Sequence, residues 1–248
     1  MLKGRKMKKV FFEIKQNKPL TDNVYEMRLS GDTGGIITGQ FVNIKIDGLY
    51  LRRPISVCDV RDDTLVIIYK VVGKGTEAMS KMESGVLDVL TGLGNGYDMR
   101  PSGDKPLLIG GGVGVPPLYM LCRKLIEKGK KPSVILGFNT KSEVFYEEEF
   151  RALGAEVYVT TADGSYGIRG FVTDALDRVR DSSYFYTCGP EPMLKAVYNA
   201  TDIDGEFSFE ERMGCGFGAC MGCSCKTKYG SKRICRDGPV LKKGEIIW

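Results

Sequence analysis

The rhythm of the chain changes at Lys105, and that change divides it into two kinds of structure. Upstream, "KVFFEIKQNKPL", "VYEMRLSG", "GQFVNIKID", "RRPISVCDV" and "TLVIIYKVV" are short β-branched or aromatic runs parted by Gly, Asp and Asn. Such runs predict a small antiparallel barrel or sandwich. One helix is expected among them, "GTEAMSKME", capped at Thr76, followed by a strand and glycine turn in "SGVLDVLTGLGNGYD". Downstream, "KPLLIGGGVGVPPLYMLCRKLIEKG" reads as a buried strand, a glycine loop and an amphipathic helix. The strands "KPSVILGFN", "AEVYVTTADG" and "SYFYTCGP" then alternate with the helices "SEVFYEEEFRAL", "VTDALDRV" and "EPMLKAVYNA". That alternation predicts a doubly wound parallel sheet. From Phe207 the tail is too rich in glycine and cysteine for a core of its own, and it is expected to fold around a metal. The expected division is a β barrel over 1–102, an α/β domain over 103–205 and a small C-terminal module over 206–248.

Five of the eight cysteines lie in "ERMGCGFGACMGCSCKTKYGSKRIC", Glu211 to Cys235, and the chain has no histidine. Ser-His-Asp and Cys-His catalysis are therefore excluded, as are His-ligated zinc, Rieske clusters and His-ligated haem. Cys58, Cys122 and Cys188 lie far apart and read as small buried hydrophobes. Cys215, Cys220, Cys223 and Cys235 follow C-x4-C-x2-C-x11-C, and the first three repeat the plant-type 2Fe–2S spacing. Gly214, Gly216, Gly218, Ala219 and Gly222 leave room for a loop to wrap a cluster and let backbone N–H groups reach the sulfurs. Zinc is the alternative; a four-thiolate zinc site usually shows two close pairs, and here the fourth thiol stands alone. Cys225 in place of Cys223 would break the x2 step, so it is treated as a spare thiol.

In "LLIGGGVGVPP", Gly110, Gly111, Gly112 and Gly114 follow an apolar strand, where glycine lets the backbone approach a pyrophosphate and the next helix offers its N–H groups. Pro116 and Pro117 suit the first helical turn. Pro117 stands where the third glycine of G-x-G-x-x-G belongs, so the loop alone also describes a tight turn without a ligand. "TCGPEPM" adds weight, because ligands bind at the carboxyl ends of such strands. In "RRPISV", Arg53 and Ser56 suit a phosphate or an isoalloxazine edge, with Pro54 fixing the chain between them. Gly73, Gly75 and Thr76 of "IYKVVGKGT" stand at a helix start, again an anion site. Singly, these read better as a surface arginine and an ordinary cap.

Hydrophobic content of 42% and charged content of 27% are those of a soluble globular protein. No apolar run approaches the ~18 residues of a membrane span. The start, MLKGRKMKKVFFEIK, is basic and then alternates like a strand, so a cytoplasmic protein without membrane attachment is expected. The net charge of +5 comes from scattered Lys and Arg, which does not imply nucleic acid; phosphates of a cofactor are a simpler match.

Taken in order, "RPIS", "GKGT", "GGGVGVPP" and "TCGP" resemble the ferredoxin reductase superfamily, from the first strand through Ala200. The resemblance implies FAD on Arg53, Pro54, Ile55 and Ser56, on Ile68, Tyr69 and Lys70, and on Gly75 and Thr76. It implies NAD across Gly112 and Gly114, with Cys188 near the nicotinamide ring. "SFEERMGCGFGACMGCSC", the late "CRDGPVL", "LRRPISV" and "TADGSYGIRGFVTD" resemble the electron-transfer subunits of the NAD-linked, class 1B dihydroorotate dehydrogenases over nearly the whole chain. Two departures stand out: "TGLGNGYD" lacks a proline often seen in that turn, and the x11 gap is shorter than in some relatives, which keeps Cys225 in play.

The resemblance implies that Cys215, Cys220, Cys223 and Cys235 hold a 2Fe–2S cluster, and that electrons run between NAD, FAD, the cluster and a partner flavin. No residue resembles a base for dihydroorotate, and there is no length for a (β/α)8 barrel. Pyrimidine oxidation is therefore expected on an FMN-bearing catalytic subunit, in a heterotetramer of two of each chain. Two other readings stand beside this one: a subunit of a hydrogenase or ferredoxin:NAD(P) complex, and a zinc-stabilised binding module. The closing "GEIIW" reads equally as a docking surface or as a strand packed on its own domain. NAD is expected over NADP, because Lys141 is the only cation in "GFNTKS" and Asp163 of "TTADGS" would repel a 2′-phosphate.

Overall fold

The computed structural model describes residues 7–248; the MLKGRK of the basic start lies outside them. The first part is a closed barrel of β1 (Lys8–Pro19), β2 (Val24–Ser30), β3 (Phe41–Ile44), β4 (Arg53–Arg61), β5 (Thr64–Lys70) and β6 (Val86–Leu93). Its order is β1-β2-β5-β4-β3-β6, closed by antiparallel pairing of β1 with β6. Period-two alternation builds it: along β1, Phe12 and Ile14 are buried while Phe11 faces out. Helix α1 (Lys74–Ser80) lies between β5 and β6.

The second part is a seven-stranded sheet of β7 (Pro106–Gly111), β8 (Ser133–Phe138), β9 (Glu156–Thr161), β10 (Ile168–Arg169), β11 (Tyr184–Cys188), β12 (Gly205–Ser208) and a late strand, Val240–Lys242. The order is β10-β9-β8-β7-β11-β12 and then the late strand, which alone runs antiparallel. Helices α2 (Pro116–Glu127), α3 (Glu147–Ala152) and α4 (Glu191–Ala200) connect the strands. All six residues of β7 are buried, as a central parallel strand covered on both faces requires. The winding reverses between β7 and β11, which is where such sheets place ligands.

Three helix expectations are corrected. α1 begins at Lys74, so Thr76 is the third helical residue rather than the cap; its hydroxyl accepts from the N–H of Val72 (2.9 Å) and Gly73 (3.3 Å). "SEVFYEEEFRAL" is a 3-10 turn over Lys141–Glu143 and then α3, because Tyr146 sits at φ +67 and breaks the run. "VTDALDRV" is 3-10 throughout rather than α.

The two parts share a core: Cys58, Val66 and Ile68 of the barrel pack with Leu118, Leu121 and Leu125 of α2. Arg123 of α2 adds a salt bridge to Asp59 of β4 at 2.6 Å. The tail is tied in at both ends, since β12 and the late strand complete the sheet. Between them lies the hairpin β13 (Ser224–Thr227) and β14 (Gly230–Arg233), which makes the late strand β15. Ile234, Cys235 and Leu241 join a core with Phe41, Leu107 and Phe207. Of "GEIIW", Ile246 is buried and Trp248 packs against Phe209 at 5.8 Å, while Ile247 is exposed. Among the described residues no helix is long and apolar enough to cross a membrane.

Candidate functional site

A cleft of about 510 Å³ opens at the reversal point, lined by Gly112, Gly114, Thr160, Pro190 and Met193 from the sheet side and by Lys70 from the barrel. Gly112 has φ +52 and open space where a Cβ would be, whereas a Cβ on Gly114 would meet the Cys188 carbonyl oxygen at 2.3 Å. The one needs glycine for its conformation, the other for close approach. α2 starts at Pro116 directly behind this turn. Thr160 lines the cleft, and its buried Oγ1 has no partner among the described residues, an orphaned acceptor and donor that a ligand would satisfy. The loop therefore fits a dinucleotide.

Cys188 is 1% exposed, and burial followed by the charge of Glu210 pushes its thiol up. Its carbonyl backs Gly114, while the thiol faces Ser208 and Glu210. Asp163 and Lys141 do not line the cleft. Asp163 is turned onto Ser165, accepting from its N–H (2.9 Å) and hydroxyl (2.7 Å), and Lys141 lies over the Tyr166 ring at 5.7 Å. Glu143 does line it, with Oε2 accepting from Asn139 N (3.2 Å) and Nδ2 (2.8 Å). Glu210 lines it too. Sequence reasoning missed both glutamates; the one available signal for Glu143 was a carboxylate just past the second parallel strand.

On the barrel, β4 carries Arg53, Pro54, Ile55 and Ser56, all half-buried. The Arg53 guanidinium lies on α1: a Cβ on Gly75 would fall 1.9 Å from its Nε. Arg53 and Gly75, distant in sequence, thus form one cationic notch beside free helix N–H groups, which fits a diphosphate. Ile68 and Tyr69 are buried; the Tyr69 hydroxyl donates to Asn17 Oδ1 (2.9 Å) and its ring stacks on Tyr25 at 5.9 Å. They offer a ligand only backbone. The Thr76 hydroxyl is spent within α1, donating to Gly73 O.

The cysteine loop lies against β3 of the barrel, where Asn43 Nδ2 donates to the Cys215 carbonyl oxygen at 3.3 Å. Cys215 Sγ accepts from the N–H of Ala219 (3.2 Å) and Cys220 (3.4 Å), and Cys223 Sγ from the N–H of Cys235 (3.4 Å). Burial opposes charge on Cys215, but the Cys220 and Phe217 N–H groups, the Cys220 thiol and the Ala219 N–H outweigh it and lower the thiol to about 6. Burial pushes Cys235 up to about 12, and its contact with Cys223 adds to this. The four thiols stand as two pairs, Cys215 with Cys220 and Cys223 with Cys235; among the described residues no three Cys, Asp or Glu surround one ion position. Two pairs with backbone donors at sulfur fit a two-iron cluster. Cβ atoms on Gly214 and Gly222 would come within 3.2 and 3.5 Å of Cys220 Sγ. Cys225 sits on β13 opposite Lys232, half-buried, and burial raises its thiol.

Residues 210–247 match the iron-sulfur cluster binding domain of dihydroorotate dehydrogenase B, and residues 108–199 match the oxidoreductase NAD-binding domain. A solved structure of an NADH-dependent reduced ferredoxin-NADP oxidoreductase superposes with TM-score 0.87 at 29% identity, over 96% of this chain and 90% of that one. A ferredoxin NADP+ reductase from Neisseria gonorrhoeae shares the fold, with TM-score 0.67 at 17% identity over 80% and 91% of the chains. The dihydroorotate dehydrogenase B (NAD(+)) electron transfer subunit of Fusobacterium nucleatum is 44% identical over 94% of this chain and 96% of its own. That of a Geobacillus species is 43% identical over 97% and 99%. At that identity, over nearly all of both chains, the protein belongs to the family of dihydroorotate dehydrogenase B (NAD(+)) electron transfer subunits.

Proposed function

We propose that the chain carries electrons between NAD and an FMN-bearing dihydroorotate dehydrogenase subunit, with FAD on residues 1–102, NAD on 103–205 and a 2Fe–2S cluster on 206–248. The observation that carries this reading is the barrel's position between two sites: Lys70 lines the sheet's cleft, and Asn43 on β3 reaches the Cys215 loop. When bound, FAD converts the two-electron hydride exchange of nicotinamide into the one-electron exchange of the cluster.

The residues' work is holding and orienting. Arg53 and the N–H groups at Gly75 and Thr76 would hold the FAD diphosphate, and Pro54, Ile55 and Ser56 with the backbone of Ile68, Tyr69 and Lys70 would complete its site. Gly112 and Gly114 let NAD lie close to α2, and Cys188 supports that turn through its carbonyl. Cys215, Cys220, Cys223 and Cys235 hold the cluster, while the N–H groups of Ala219, Cys220 and Cys235 tune it.

The complex is a heterotetramer of two of each subunit in the cytoplasm, a compartment that keeps the eight free cysteines reduced. Anaerobic NADH should bleach the flavin and produce the EPR signal of a reduced 2Fe–2S centre. A protein that contains zinc and no iron, or a flavin that NADH leaves oxidised, sinks the reading. Co-purification from the native cell should bring down an FMN protein that oxidises dihydroorotate.

A further inference from the structure

Asn43 is 1% exposed and, among the described residues, makes a single side-chain hydrogen bond, from Nδ2 to the carbonyl oxygen of Cys215 at 3.3 Å. Its Oδ1 is buried without a partner among them. A buried amide with half its capacity unmet is costlier than an apolar side chain of the same size, so the bond it does make needs an explanation. The contact is tight: a Cβ on Gly216 would lie 2.3 Å from Nδ2, and Gly216 has φ +79. The loop can rest on the amide only because the residue after Cys215 has no side chain.

Asn43 is also placed on the flavin strand's neighbour. Its backbone pairs with Pro54, and Phe41 pairs with Ser56. Directly paired residues share a face, so Asn43 and Phe41 point outward with Pro54 and Ser56, while Val42 and Ile44 fill the barrel. Phe41 packs with Cys223 and Cys235 on that same face. Arg52 stiffens the strand from behind, donating to Asn43 O (3.2 Å) and bonding Asp88 Oδ1 (2.8 Å).

The geometry points to Asn43 as a positioning residue that fixes the first cluster cysteine against the flavin-bearing face of the barrel, an inference that rests on the function proposed above. Through the Cys215 carbonyl it holds the turn whose Ala219 and Cys220 N–H groups reach Cys215 Sγ. Those donors set how readily the cluster accepts an electron. Without the amide the turn relaxes, the donors weaken and the potential falls.

The test is Asn43→Leu in the full chain, with FAD content, cluster EPR and cluster midpoint potential as readouts. The expected result is retained FAD with altered EPR g values and a lower potential, a roughly tenfold shift in the electron equilibrium between flavin and cluster, or about 59 mV for a one-electron couple. Loss of the cluster alone, with FAD retained, also supports the role. FAD, EPR and potential all matching the wild type overturn it. Asn43→Ser, smaller and still polar, is read the same way if the leucine variant does not fold. Failure of both to fold also overturns the inference, making Asn43 a folding residue. A wild-type protein without a 2Fe–2S signal refutes the proposed function instead.

Discussion

The Tyr146 hydroxyl donates to Glu26 Oε2 at 2.8 Å, joining the start of α3 in the sheet domain to β2 of the barrel in a buried contact. Burial raises the Glu26 carboxyl, but bonds from Arg28 and Tyr146 and the charges of Arg28 and Lys18 outweigh it, so the group ends below its ordinary value. An acid depressed on folding contributes stability above its unfolded value and loses it as pH falls through the folded one. Tyr146→Phe should cost about 1.5–3 kcal/mol at pH 7, the size of a hydrogen bond to a charged group. Urea unfolding should show a smaller loss at pH 3. A variant as stable as the wild type at pH 7 contradicts this.

Glu206 titrates in the opposite sense. It is 2% exposed and accepts from Asp98 N at 2.9 Å; burial, then the charges of Asp98 and Glu245 against Lys242, raise it to about 7. Between its ordinary 4.5 and about 7 the folded protein binds the extra proton, so stability falls as pH rises through that window and levels off above it. Glu206→Gln keeps the acceptor for Asp98 N and removes the titration. Its stability relative to wild type should improve from pH 4.5 to pH 8 by up to ~3 kcal/mol. Parallel pH profiles for the two proteins would show that Glu206 does not titrate there.

Cys215, Cys220, Cys223 and Cys235, each changed to Ser, should lose the cluster's visible absorption, whereas Cys225→Ser should keep it. The pairing of thiols in the structure leaves Cys225 on the hairpin, outside both pairs. Bleaching by Cys225→Ser with an intact Cys223→Ser spectrum would reverse the assignment.

The notch between Arg53 and Gly75 makes a paired test for FAD. Gly75→Ala puts a methyl where the guanidinium lies, 1.9 Å from Nε, so the arginine must leave. Arg53→Ala removes it outright. Both should weaken FAD binding by about 1.5–3 kcal/mol, or roughly 10- to 100-fold in Kd. Full flavin occupancy and unchanged affinity in both variants would show that the arginine serves only the barrel.

What was legible in the sequence was local. Alternation along "KVFFEIK" and the all-apolar "PLLIGG" carry their own period, and Gly112 and Gly114 stand in a motif whose physics is short-range. Thr76 reads as the cap but stands three positions inside it, because a hydroxyl can serve as cap or as third residue, and only backbone geometry separates these. Tyr146, where the run breaks, bonds Glu26, 120 residues earlier. Asn43 meets the Cys215 loop 172 residues away, and nothing in "GQFVNIKID" announces it. Contacts of that kind follow from topology, which periodicity does not encode.

Topology likewise changes the account of nucleotide choice. The preference for NAD was expected from Asp163, but that carboxylate is fully exposed and turned onto Ser165, whose N–H and hydroxyl hold it below its ordinary value. Of the two carboxylates lining the cleft, Glu143 is the one beyond β8, its Oε2 anchored by the Asn139 backbone and amide. It stands past β8, where an acid bonds the ribose 2′-hydroxyl in doubly wound sheets and a 2′-phosphate would meet like charge. Repulsion of that kind in a partly enclosed cleft is on the order of kcal/mol, enough for roughly tenfold discrimination or more. Glu143→Gln keeps an acceptor for Asn139 N and removes the charge. It should raise kcat/KM for NADPH at least about tenfold while changing that for NADH by less. Asp163→Asn, away from the cleft, should leave the ratio unaltered. If Asp163→Asn moves the ratio and Glu143→Gln does not, the adenine ribose lies on the β9 loop rather than past β8.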